Sequence, residues 1–232
     1  MKAVLIDPAT LNFLSALKQN NNRDWFNAHK EDYERARENF ADFLEALIVA
    51  TARFDESISW LEPEDCMFRI HRDLRFSRDK TPYKTALGAH LVANGRKVDK
   101  GLAGYYIHLE SGATRIACGA YQPPAAWLRN IRAAIDRQGA EFEAIVNAKA
   151  FKTCFGDLRG DTLKTVPCGY HKDHPCADWL KRKGFLAVRR VGDSLVLSKN
   201  FLAEITANYN MALPLNKFLN AAIPDQPQVP LL

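Results

Sequence analysis

Arg69, Arg72 and Arg75 stand at three-residue spacing in the stretch FRIHRDLRFSRDKTPYK, residues 68–84. On a helix that spacing drifts around the cylinder and gathers nothing. On a strand, side chains alternate between faces. Phe68, Ile70, Leu74 and Phe76 then share one face with Arg72, while Arg69, His71, Asp73 and Arg75 share the other. The strand reading is the one that makes a site: an apolar face backs a row of cationic groups with one carboxylate among them. Asp73 is the candidate general base, or the group that orients His71. Arg72 and Arg75 are the candidates to stabilise a developing negative charge.

The chain then reads as a loop, Ser77-Arg78-Asp79-Lys80-Thr81-Pro82-Tyr83-Lys84. Pro82 biases Thr81 towards an extended conformation. Ser77 and Thr81 offer hydroxyls, and Tyr83 offers a ring and a phenol. Arginine forks suit the paired oxygens of phosphate or carboxylate, and an aromatic among cations can stack on a base. The candidate anion-binding set is Arg69, Arg75, Arg78, Lys80, Tyr83 and Lys84.

Charge supports this focus. The whole chain carries +5. Between Cys66 and Lys100, nine basic residues face only Asp73, Asp79 and Asp99, whereas the remainder is nearly balanced. Arg96, Lys97 and Lys100 complete the basic segment. Concentrated positive charge points to an anionic ligand more than to general solubility. Three readings follow. The segment binds a phosphate, a nucleotide or a nucleic acid. Or it processes a phosphoester, with Asp73 among arginines. Or it is a structural ion-pair network, for which Arg72 is the leading candidate because it falls on the apolar face.

The longer stretch FRIHRDLRFSRDKTPYKTALGAHL resembles the central motif of an uncharacterised family, domain of unknown function 2461. That motif runs close to R-x-x-RD-x-RFS-K-DK-x-PYK. Arg69, Arg72, Asp73, Arg75, Phe76, Ser77, Asp79, Lys80, Pro82, Tyr83 and Lys84 match it, and Arg78 replaces a lysine. FLSALKQNNNRDWFNAHKEDYE (13–34), GYYIHLE (104–110) and VPCGYHKDHP (166–175) are similar to the family's opening helices, next strand and later loop. The resemblance spans about Leu11 to Ile223. It implies a cytoplasmic, single-domain α+β protein and carries no activity. It also implies variation at position 71, which shifts weight from His71 to Arg72, Asp73 and Arg75.

Other constellations are weaker. His108 and Glu110 fall on one face of a strand, with His90 a possible neighbour, but isolated strand histidines are usually packed or solvated. Cys168, His171, His174 and Cys176 have zinc-compatible chemistry without a second half at finger spacing, and His174 suits capping of a helix opened by Pro175. No metal site is therefore expected. No P-loop, G-x-S-x-G or G-x-G-x-x-G is present, so no cofactor is expected.

The elements that must position the motif are legible in outline. Asp7-Pro8 opens a helix with Leu11, Leu14 and Leu17 inward. Asn20-Asn21-Asn22 closes it, and a long helix is expected over about 24–54, with Tyr33, Phe40, Phe43, Leu44, Leu47 and Ile48 as its apolar stripe. Residues 66–76, 86–93, 103–110, 114–121 and 185–191 read as strands, and the short connections favour antiparallel pairing. Helices are expected after Pro123-Pro124, near 140–150, after Pro175, and after Ser198, the last broken or restarted at Pro214. The fold class is thus α+β: a central, mainly antiparallel sheet over about 66–121 plus a strand near 185–191, flanked by N- and C-terminal helices. One domain over 1–223 is expected, with two tightly packed subdomains as the alternative and a proline-rich tail at 224–232.

The five cysteines are odd in number and spread out, which suits free thiols in a reducing compartment. The N-terminal apolar run is too short for a signal peptide, and none of the small or apolar runs approaches the ~20 residues of a membrane span. A cytoplasmic protein without a membrane partner is expected.

Overall fold

The computed structural model describes residues 4–75, 77–95 and 102–223. The readings placed on Phe76, on Arg96, Lys97 and Lys100, and on the 224–232 tail lie outside those residues. In chain order the elements are α1 (Pro8–Gln19), α2 (Arg23–Ala28), α3 (Lys30–Ala52), a 3-10 turn at Glu56–Ile58, α4 (Pro63–Cys66), β1 (Leu87–Leu91), β2 (Gly104–Leu109) and β3 (Arg115–Ala120). There follow α5 (Ala125–Arg137), α6 (Gly139–Asn147), α7 (Lys149–Phe155), α8 (Ala177–Leu180), β4 (Phe185–Arg190), α9 (Asp193–Val196) and α10 (Phe201–Ala221). Among the described residues the sheet has four strands in the order β1-β2-β3-β4 and is antiparallel. The fold is α+β, as the periodicity suggests. No helix among the described residues is long and apolar enough to cross a membrane.

Local chemistry sets the helix ends. The Asp7 side chain accepts from Ala9 N at 2.8 Å with Pro8 behind it, and Asn22 accepts from Trp25 N at 2.9 Å to open α2. The expected continuous helix over 24–54 is interrupted at His29, which leaves helical geometry at φ −116°, ψ 27°. Its ring Nδ1 lies 2.8 Å from Trp25 O. Trp25 O also takes the His29 N–H, at 3.1 Å, and a fresh helix starts at Lys30 with Glu31 and Asp32 in its first turn, where acids complement the dipole. Pro214 does not break α10, which runs through it. The lost N–H is tolerated where Ala212, Leu215 and Leu219 are fully buried around it. Ser198 accepts from Asn200 N ahead of that helix rather than within it.

The chain groups into two compact units. The first comprises Met1–Val98, Tyr105–Ala117 and Arg189–Asn210. Its core joins Leu11, Leu14 and Leu17 of α1 to Phe40, Phe43, Leu44 and Leu47 of α3, all buried, with Phe43 stacked on Phe201. Within this unit β1 and β2 pair in a register that sets Leu87, Ala89 and Leu91 opposite Leu109, Ile107 and Tyr105. Those six are buried. Alternation leaves Gly88 and His90 opposite His108 and Tyr106 on the other face.

The second unit comprises Asp99–Gly104, Cys118–Val188 and Met211–Leu232. Phe142 is its hub, with Trp179, Phe185 and Phe218 rings at 5.2–5.9 Å. Trp127 Nε1 donates to Leu219 O at 3.0 Å. Gly119 is required in β3: it sits at φ 110°, and a Cβ there would lie 2.0 Å from Phe185 O.

Candidate functional site

The basic motif is extended, but it is not the expected strand over 66–76. Among the described residues it makes isolated bridges, Met67 with Ala89 and His71 with Tyr83. Phe68 N donates to Gly88 O, Lys84 N to Ile70 O and Arg72 N to Pro82 O, at 2.8–2.9 Å. The segment thus folds back on itself and its ladder stops at Pro82, which has no N–H to give. Beyond that point two aspartates take over the backbone. Asp73 Oδ1 accepts from Arg75 N at 3.2 Å, and Asp79 Oδ1 accepts from Thr81 N at 2.9 Å. Such side-chain turns replace ladder bonds.

The alternation nevertheless survives. Ile70 is buried, Phe68, Arg72 and Leu74 are half-buried, and Arg69, His71, Asp73 and Arg75 are exposed. Arg72 is the inward cation. Its Nη1 donates to Asp79 Oδ2 at 2.5 Å, to Thr81 O at 3.2 Å and to the Thr81 hydroxyl; Nη2 donates to Ser77 Oγ at 3.3 Å. The Thr81 N–H, the Arg72 guanidinium and the Thr81 hydroxyl together hold the Asp79 carboxyl at about 2.

The outward pair lies within one turn of chain. Arg75 Nη2 and Nε both reach the Asp73 carboxylate, at 2.6 and 3.0 Å. The Arg75 side chain and then its backbone N–H hold Asp73 at about 2. Arg69 and Arg78 are exposed, and Lys80 Nζ donates to Leu74 O at 3.2 Å. Lys84 Nζ donates to Arg69 O at 2.8 Å and stands 5.3 Å over the Phe68 ring. Tyr83 is buried, stacked on Phe26 with ring centroids 4.0 Å apart. The Asn21 amide fixes it by bonding both Tyr83 N and Tyr83 O, at 3.0 and 2.9 Å.

Arg72, Asp79, Thr81, Tyr83, Lys84 and Thr85 form one wall of a cavity of about 520 Å³. Tyr106, His108 and Gly88 from the polar face of β1 and β2 also line it, with Asn21, Phe68 and Ala86. Of the candidate catalytic and anion-binding residues of the motif, the cavity takes Arg72, Tyr83 and Lys84. Asp73, Arg69, Arg75, Arg78 and Lys80 do not line it.

The sheet face adds a polar chain whose reach the sequence does not reveal. His108 Nε2 lies 2.9 Å from Glu110 Oε2, and His108 Nδ1 lies 3.0 Å from Tyr106 Oη and 3.3 Å from Arg115 Nη2. Glu110 Oε1 accepts from Lys18 Nζ at 3.3 Å and Thr85 Oγ1 at 3.2 Å. Burial pushes the His108 ring down, against the Glu110 bond. Burial works to raise Glu110, yet the bonds from His108 and Lys18 hold it below the usual range. The period-2 placement of Tyr106, His108 and Glu110 was the available signal. Lys18, Thr85 and Arg115 had none, because they join across the chain.

The second unit has a cavity of about 780 Å³ lined largely by alanines and other apolar groups of α5, α6, α7 and α10. It holds none of the candidate residues. His174 accepts from Cys176 N through Nδ1 at 2.9 Å and meets Asp136 through Nε2 at 2.9 Å. Among the described residues no group of three or more histidine, cysteine, aspartate or glutamate side chains is placed to hold a metal.

No curated protein and no solved structure is similar enough to count as a match. The family model of a conserved hypothetical protein (DUF2461) matches residues 9–218. That span takes in the folded-back motif, the cavity wall and the polar strand face alike, and the chain belongs to this DUF2461 family of conserved hypothetical proteins.

Proposed function

We propose that the cavity of the first unit binds a small phosphate-bearing anion, such as a nucleotide, between the basic motif and the polar face of β2. The observation that carries this reading is the position of Arg72 and Lys84 on a concave wall shared with hydroxyl, phenol and imidazole groups. A cavity of about 520 Å³ falls within the roughly 300–1,000 Å³ of small-molecule sites. Around it four cations, Arg72, Lys84, Lys18 and Arg115, stand against the carboxylates of Asp79 and Glu110. The Arg72 fork has five N–H donors. Its contacts among the described residues run through Nη1 and Nη2, and the residue lines the cavity. A nucleic acid is disfavoured, since Arg75 is already committed to Asp73 on the exposed side.

Calorimetric titration with inorganic phosphate, pyrophosphate and nucleoside phosphates at low salt tests the reading. Saturable binding is expected. Lys84→Ala should weaken it at least tenfold, because a hydrogen bond to a charged group contributes about 1.5–3 kcal/mol. Absence of saturable binding, or an unchanged affinity in Lys84→Ala, defeats the proposal. Affinity for RNA or DNA that exceeds that for nucleotides and falls steeply with salt would favour nucleic acid instead.

A further inference from the structure

The hydrogen positions along Glu110, His108 and Tyr106 follow from chemistry. An ionised carboxylate only accepts, so the bond between Glu110 Oε2 and His108 Nε2, 2.9 Å long, carries its hydrogen on Nε2. Burial favours a neutral ring, so Nδ1 is left with a lone pair. Arg115 Nη2, always a donor, lies 3.3 Å from that Nδ1, which independently makes Nδ1 the acceptor. The 3.0 Å bond between Tyr106 Oη and Nδ1 is therefore donated by the phenol. The tyrosine oxygen keeps its lone pairs, and Tyr106 and His108 both line the cavity.

Carboxylate, imidazole and hydroxyl in this order form the arrangement in which a base removes a proton as the oxygen attacks. Space has been left for that oxygen. Gly88 stands opposite His108 in the β1–β2 register, and a Cβ at Gly88 would come within 3.1 Å of Tyr106 Oη. Burial raises the Tyr106 phenol, so it carries its proton at neutral pH and needs a base to become reactive.

We propose that Tyr106 is a catalytic nucleophile towards a phosphoester held at Arg72 and Lys84, with His108 as its general base and Glu110 as the residue that positions His108. The substrate class rests on the anion-binding reading above. Tyr106 Oη attacks phosphorus, the Tyr106 O–P bond forms and the ester P–O bond breaks. The phenolic proton passes to His108 Nδ1 and stays there, while the departing alkoxide, on the opposite side of phosphorus, takes a proton from solvent. In the second half a water oxygen attacks phosphorus from that far side and gives its proton to solvent. The Tyr106 O–P bond breaks, and the phenolate takes back the proton held on Nδ1. The sum is ester plus water to phosphate plus alcohol.

The test pairs a reactivity probe with turnover. An aryl sulfonyl fluoride forms a sulfonate ester with an activated tyrosine and releases fluoride. Peptide mass spectrometry then compares Tyr106 with Tyr121, which is 73% exposed and serves as the internal standard. Tyr106 should label faster than Tyr121 despite its burial, and inorganic phosphate should slow only Tyr106. His108→Asn and Glu110→Gln should each reduce labelling of Tyr106, His108→Asn by about a hundredfold or more, with Tyr121 labelling and the far-ultraviolet circular dichroism spectrum unchanged. Bis(p-nitrophenyl) phosphate should be hydrolysed by the wild-type chain and not by Tyr106→Phe, which should still bind phosphate calorimetrically. If phosphate binds but Tyr106 labels no faster than Tyr121, the nucleophile is overturned and the anion site stands. If Tyr106 is reactive but phosphate neither binds nor protects, the phosphoester assignment is overturned.

Discussion

Two aspartate–arginine pairs lie within one short stretch of chain, and they differ in almost everything but chemistry. Each aspartate closes the same small turn by accepting a backbone N–H two residues on. Each is held at about 2. Yet Asp73 takes its arginine from its own turn, at Arg75, and the pair faces water with side chains 44% and 77% exposed. Asp79 reaches back across the loop to Arg72, whose side chain is only 25% exposed. The first pair neutralises itself locally. The second ties the loop tip to a cavity wall and turns a guanidinium towards the enclosed space. Density of charge along the chain and charge at a site are therefore separate properties, and the face on which a residue falls decides between them.

The largest effects should separate the two arginines by stability. Arg72→Ala strips Ser77 and Thr81 of a half-buried charged donor and should cost about 1–3 kcal/mol, or roughly 2–10 °C in Tm for a chain of this size. Arg75→Ala removes an exposed ion pair and should leave Tm unchanged within error, as surface ion pairs usually do. Differential scanning fluorimetry on the two variants decides the matter. Equal losses would break the comparison and favour a structural network spread over the whole motif.

Much of this distinction was legible beforehand. Period-2 alternation alone put Arg72 on the apolar face and Asp73 and Arg75 on the other. What it missed was that the aspartates would claim the backbone donors and end the ladder near Pro82. Likewise, hydrophobic periodicity ran straight across His29, where the backbone leaves helical geometry. The long-range polar contacts around the cavity were less accessible still. Lys18 and Glu110 are 92 residues apart in sequence, and Asn21 and Tyr83 are 62 apart. Neither pairing leaves a local pattern, because each follows from how α1 and the motif settle beside β2.

An intermediate effect should come from the cavity's own titration. The folded-state pKa of His108 lies below its ordinary value because burial disfavours the charged ring. The neutral ring's contribution to stability is therefore complete above about 6.5 and is lost as pH falls from there through the lower folded value. Its surroundings are Tyr106 and Glu110 on β2, Arg115 on β3, His90 on the same sheet face of β1, and Lys18 through Glu110. Both paired aspartates keep their charge throughout this window, since they sit at about 2. Tm measured from pH 7.5 to 5 should fall more in the wild-type chain than in His108→Asn. Parallel curves would remove His108 as the sensitive group.

The smallest effect is also the sharpest contrast between the pairs. Asp73 owes its low value first to the Arg75 side chain. Asp79 owes its value first to the Thr81 backbone N–H, and only then to Arg72. Arg75→Ala should therefore return Asp73 further towards the ordinary carboxylate range than Arg72→Ala returns Asp79. Carboxyl carbon chemical shifts followed by NMR between pH 2 and 5 would read both in single samples. A backbone donor persists when a side chain is removed, so the loop-spanning Asp79 should stay ionised at lower pH than Asp73. The reverse order would mean that Arg72, not the turn, fixes the charge at the cavity's edge.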